Sequence, residues 1–136
     1  MNSAARVVLS LPLLAWLAWL ACAPAKANVQ TPNVEVEIAP GLVCDTRQQA
    51  ERFVALFDGN AEAAVKLVNG EEKDPTACVI ATVAYVTGAE VNTLRNRSGA
   101  YRVVRILVLG VVTERGLQAA TPTPFYSIEK IDEREA

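Results

Sequence analysis

The sequence contains no histidine. That removes serine–histidine and cysteine–histidine nucleophile pairs, and any metal held by imidazole, from the chemistry open to this chain. Its glycines stand apart, Gly110 and Gly116 among them, so no phosphate-cradling loop can be traced, and no Gly-x-Ser-x-Gly elbow occurs. Aromatic residues are scarce at 6%, and both tryptophans and the single methionine fall within residues 1–27. There is no basic excess: 13 Lys and Arg stand against 15 Asp and Glu, a net charge of −2. Loss of Arg6 and Lys26 with a leader would make the remainder more acidic, which argues against a general nucleic-acid binder.

What the chain does have begins with a leader. Residues 1–6 carry one positive charge, residues 7–21 are apolar apart from Ser10 and Pro12, and Ala25-Lys26-Ala27 forms an A-x-A cleavage signal. The apolar run is about 15 residues, short for a spanning helix, and no stop-transfer pattern follows. Residues 1–27 are therefore expected to be a cleaved secretory signal, with the membrane met only during export. Trp19-Leu20-Ala21-Cys22 fits a lipobox poorly, because a bulky Trp stands where Leu is usual, so Cys22 is not expected to carry lipid.

Removal of the leader leaves two cysteines, Cys44 and Cys78. An even count in an oxidising compartment reads as one disulfide, worth about 3–4 kcal/mol by loop-closure entropy. With no Cys-x-x-Cys spacing and no histidine, neither a redox pair nor a metal site is expected, and no cofactor.

Residues 28–41, with Pro32 and Pro40, read as a flexible lead-in in which 34–38 could form a short edge strand before Pro40-Gly41 turns the chain. Thr46 with Gln49 fits a capping box, and Ala50, Phe53, Val54 and Phe57 follow with helical spacing until Asp58-Gly59. Asn60 caps a second helix carrying Ala61, Ala64, Val65 and Val68, expected to end at Asn69-Gly70. Residues 71–75 read as a solvated connector. The Val-, Ile- and Thr-rich run 77–86 predicts a central strand covered on both faces, with Gly88 at a turn or bulge and a weaker strand over 90–97. Residues 101–114 predict another strand, with Tyr101, Val103, Leu107, Leu109 and Val111 on one face and a bend at Gly110. Thr121-Pro122-Thr123-Pro124 reads as a stiff connector to a last strand over 125–131, and 133–136 as a frayed tail. The fold expected over residues 42–132 is a single α+β domain: an N-terminal helical hairpin packed on a three- to four-stranded antiparallel sheet. Phe53, Phe57 and Val65 should form the helical half of its core, and the disulfide should tie the helical layer to the sheet.

Candidate chemistry is thin. Asp45, Asp58, Glu62, Glu71, Glu72 and Asp74 cluster along the helical segment, but each stands where a cap, helix surface or connector would place an acid. No catalytic residue is assigned. Arg95, Arg97, Arg102 and Arg105 gather around the Ser98-Gly99 turn and could meet an anionic envelope component or an acidic partner, although Arg102 and Arg105 point to opposite faces of one strand. Asn96-Arg97-Ser98 matches a glycosylation sequon, which the bacterial type of leader renders coincidental.

Two resemblances follow from these motifs. The blocks Gly41-Leu42-Val43-Cys44-Asp45-Thr46, Glu51-Arg52-Phe53-Val54, Ala77-Cys78 and Val103-Val104-Arg105-Ile106-Leu107-Val108, with Asp132-Glu133-Arg134, resemble small exported proteins of alpha-proteobacteria, rhizobia among them. That likeness implies export and the cysteine pair but no activity. Leu94-Arg95-Asn96-Arg97-Ser98-Gly99 followed by Tyr101-Arg102-Val103-Val104 is similar to a stretch of bacterial SH3-type domains that bind cell-wall peptides, without their proline after Gly99 and with a shorter spacer. The functional expectation is a non-catalytic periplasmic or secreted module that binds a protein or envelope component. An inhibitor of an exported hydrolase and a cell-wall-binding SH3-like module are the alternatives.

Overall fold

The computed structural model describes residues 34–132. The expected leader at 1–27, residues 28–33 of the expected lead-in and the tail 133–136 lie outside the described residues. The chain order is β1 (Glu37–Cys44), α1 (Arg47–Leu56), α2 (Ala61–Glu72), β2 (Cys78–Asn96), β3 (Gly99–Thr113) and β4 (Gly116–Ile131). This overturns the helix-first α+β arrangement: a strand comes first, the helices are inserted between β1 and β2, and 59% of the structure is sheet.

The physical reason lies at Pro40 and Gly41. They form no turn but continue β1, with Pro40 opposite Thr82 and Gly41 opposite Ala81. Among the described residues, β1 pairs with β4 only through Cys44 and Tyr126, so most of its second edge has no ladder and a residue without an N–H is tolerated there. Burial of Leu42, Val43 and Cys44 on both faces of the strand then outweighs the local turn preference.

The helices are set by short-range hydrogen bonds. At α1, the Gln49 amide donates to Thr46 Oγ1 (3.2 Å) and the Thr46 amide to Gln49 Oε1 (3.0 Å), completing the capping box. At α2, Asn60 Oδ1 accepts from the Ala63 amide (3.1 Å). The second helix does not end at Asn69-Gly70. It runs on to Glu72, and Lys73 closes it in the left-handed region at φ 54°.

Asn69 has a different task. Its carboxamide oxygen accepts from the Cys78 amide (2.8 Å), and its nitrogen donates to the carbonyls of Pro75 and Cys78 (both 2.9 Å), latching α2 to the start of β2. Asn96 does the same at the other end of β2, donating to the carbonyls of Val54 (2.8 Å) and Phe57 (3.1 Å) at the end of α1.

The four strands form an antiparallel meander that curls until β1 meets β4. Bulges drive the curl. The expected break at Gly88 is a register shift inside one long β2, between Thr87 and Glu90. Gly110 lies at a shift on both of its sides, where a Cβ would stand 2.8 Å from the Gln118 carbonyl oxygen. The expected connector around Pro122 and Pro124 is part of β4, with residues 120–122 bulging out of the ladder between Ala119 and Thr123.

Because the sheet curls, both of its faces are buried. One carries the helices through Leu42, Phe53, Ala64, Val68 and Val103. The other closes on itself through Val43, Val83, Val104, Ile106 and Val108. Of the residues expected in the helical core, Phe53 is buried while Phe57 and Val65 are half-buried beside it.

Cys44 and Cys78 form the disulfide. It joins β1 to β2 as a directly opposed pair, not the helical layer to the sheet, and closes the base of the helical insertion. Among the described residues, no helix is long and apolar enough to cross a membrane.

Candidate functional site

The site follows from the incomplete closure of the sheet. Beyond Cys44 and Tyr126, residues 37–43 of β1 and 127–131 of β4 share no ladder. On the helical side this parting opens a cleft of about 520 Å3. Phe53 from α1, Phe57 at its C-cap and Tyr101 from β3 form its aromatic wall, and Leu42, Ile80 and Ile128 are among its aliphatic lining.

The aromatic wall is preorganised. The rings of Phe53 and Phe57 stack at 5.4 Å with an 18° interplanar angle, and Phe57 meets Tyr101 edge-on at 6.0 Å and 88°. Asn96 holds the end of α1 in place by its bonds to the Val54 and Phe57 carbonyls, so Phe57 is anchored through its own backbone.

The polar lining side chains are Ser98, in the β2–β3 turn, and Lys130, on β4. Lys130 stands opposite Tyr101 in the ladder, and its Cε lies 3.4 Å from where a Cβ on Gly99 would be. Its stem therefore runs along the turn, against a glycine with φ 137°. Among the described residues, neither the Lys130 ammonium nor the Ser98 hydroxyl has a hydrogen-bond or ion-pair partner.

On the opposite side of the same parting lies a smaller cavity of about 70 Å3, lined by Val83, Tyr85, Val104, Ile106, Ser127 and Glu129 among others. A hydrogen bond to the Glu37 carboxylate, with desolvation and the charge of Glu129 adding to it, pushes the Tyr85 hydroxyl up to about 12. The phenol therefore stays neutral across the physiological range.

The arginines do not all share one face. Arg95 and Arg97 lie at the exposed end of β2, while Arg102 on β3 is opposite Thr93 and 3.9 Å from Glu129. Arg105 is exposed on the other face of β3, opposite Tyr126. Arg97 directly precedes Ser98 at the rim of the cleft.

The carboxylates are dispersed into local roles. Asp58 accepts from the Asn60 amide, Asp74 from the amide and hydroxyl of Thr76, and Glu71 takes a two-pronged contact from Arg52 at 2.8 and 2.9 Å. Glu62 lies in the first turn of α2 and Glu72 at its last residue. Burial, with Asp74 nearby, raises the Asp45 carboxyl above the usual range. Among the described residues, no group of three or more Cys, Asp or Glu side chains is placed to hold a metal ion.

Compared with protein-family models, curated proteins and solved structures, the chain matches none. Sequence reasoning identified Phe53 and Phe57 as core residues but not as the wall of a cleft. It gave no signal for Ser98 or Lys130, whose proximity to Phe57 depends on strand pairing.

Proposed function

We propose that this is an exported, non-catalytic binding domain, and that the cleft between α1 and the parted strands takes up a small apolar ligand or the apolar part of an envelope component. The cleft itself carries the reading: about 520 Å3, within the range of about 300–1,000 Å3 usual for small-molecule sites, and walled by apolar and aromatic side chains with few polar ones. The leader at residues 1–27 and the buried Cys44–Cys78 disulfide support work in an oxidising compartment such as the periplasm or the medium.

Nile red, a neutral apolar dye, tests the reading. It is expected to bind the purified protein at one saturable site with a fluorescence increase. Ile80→Trp should abolish the signal, because Ile80 lines the cleft from a position 46% exposed, where a larger side chain fills space without entering the core. Saturable binding that Ile80→Trp leaves intact, or no binding at all, would remove the cleft from consideration.

A further inference from the structure

We infer that the cleft is selective for a single-chain amphiphile with an anionic head, the chain lying against Phe53, Phe57 and Ile128 and the head meeting Lys130 and Ser98. The inference rests on the preceding reading of the cleft as a binding site and adds the chemistry of its ligand.

A buried or half-buried polar group normally finds a partner within the protein, and most of those in this domain do so. Asn69, Asn96, Thr46 and Asp74 are all engaged in the bonds described above. Ser98, half-buried in the lining of the cleft, has no side-chain partner among the described residues, and Lys130 lines the same cleft from an exposed position at its edge, also without an ion pair there.

Lys130 also has carboxylates close in sequence that it does not use. Glu129 points to the opposite face of β4, where it is 3.9 Å from Arg102, and the remaining ion pairs of the described residues join Arg47 to Glu51 and Arg52 to Glu71. A lysine stem laid along an apolar surface with its ammonium left at the edge is a snorkelling arrangement, which matches a ligand whose charge sits where its apolar part ends.

The chain as a whole is acidic, with net charge −2, so long-range attraction does not favour an anion and the selectivity must be local. The apolar wall supplies affinity for any alkyl chain, and the rim discriminates between heads. An ammonium donates and cannot accept, so it favours a carboxylate or phosphate over an alcohol and repels a cation.

The test compares dodecanoate, dodecyl phosphate, dodecanol and dodecylammonium by titration calorimetry on the purified protein, each below its micelle-forming concentration. Dodecanoate or dodecyl phosphate should bind about two- to fivefold more tightly than dodecanol, the range of an exposed ion pair, and dodecylammonium more weakly than dodecanol. Whichever anion binds better distinguishes a fatty-acid source from a phosphate-headed lipid, and the preference should shrink as salt is added. Lys130→Glu should invert the order of the anionic and cationic ligands, a readout that loss of folding would not produce. Equal binding of dodecanol and both anions, or an order that Lys130→Glu does not move, would overturn the head-group inference and leave the cleft reading standing. Anion binding that survives Ile80→Trp would also overturn it, by placing the ligand elsewhere. No binding of any of the four, with Nile red binding also absent, would remove both.

Discussion

Replacing both cysteines by alanine is the most direct test of how the domain is held together. Cys44 and Cys78 are 34 positions apart, and the chain between them holds both helices. Loop-closure entropy for that separation gives about 3.8 kcal/mol. The two side chains are fully buried, so Ala at each adds a packing loss of about 1 kcal/mol for the pair. Each single variant already loses the crosslink, so Cys44→Ala and Cys78→Ala should each cost about 4 kcal/mol and the double variant little more. Such a loss is a large fraction of the roughly 5–15 kcal/mol that stabilises a domain. Urea unfolding followed by far-ultraviolet circular dichroism is the assay. At a slope of about 2 kcal/mol per molar, the midpoint should fall by roughly 2 M in all three variants. Single losses of about half the double, summing to it, would show that the cysteines act independently. A double loss below about 1 kcal/mol would show that the bond does not restrain the unfolded chain.

Four further outcomes follow from individual residues. Asn69→Asp keeps the shape but removes both donated hydrogen bonds, leaving the Pro75 and Cys78 carbonyls facing a carboxylate; a loss of about 2–3 kcal/mol is expected in the same urea assay. Asn96→Ala frees the Val54 and Phe57 carbonyls at the end of α1 and should cost about 1–2 kcal/mol, with weakened Nile red binding because Phe57 loses its anchor. Lys73→Gly removes a side chain from a left-handed conformation at the end of α2 and should raise stability by about 0.5–1 kcal/mol. The Tyr85 hydroxyl is pushed up to about 12 in the fold from the 10.0 of an unperturbed phenol, so its contribution is present below pH 10 and is lost as pH rises toward 12. Phenolate absorbance should show one late-titrating tyrosine that Tyr85→Phe removes, and the variant's stability should fall less steeply across that window.

The candidate site was legible only in its parts. Phe53 and Phe57 announced themselves by helical spacing, and Tyr101 by its place in an apolar β run. Nothing local brings Lys130 to Ser98, because they meet only when β4 pairs with β3 and the β2–β3 turn folds back beside them. Among the arginines, Arg102 and Arg105 lie three positions apart on β3 and fall on opposite faces through the alternation of side chains along a strand. The sequon is of the same kind, since Asn96 spends its amide nitrogen on the end of α1.

By itself the sequence determined the features that depend on neighbours within a few residues: the Thr46–Gln49 box, the Asn60 cap, a break in regular strand at Gly88 and Gly110 though not its kind, and the tight turn at Ser98-Gly99. These rest on hydrogen bonds and steric limits spanning a few residues, which composition and spacing report directly. The pairing of Cys44 with Cys78 followed from their number, although not the elements they join. Only the tertiary structure decided that β1 runs through Pro40-Gly41, that β3 buries both faces, and that the disulfide links two strands. An alternating apolar run reads the same whether its sheet lies flat under helices or curls into a second core. The choice is made by long-range pairing, bulge placement and the apolar area removed from water when β1 reaches β4. The cleft is the product of that choice, formed where the two strands part after a single pair.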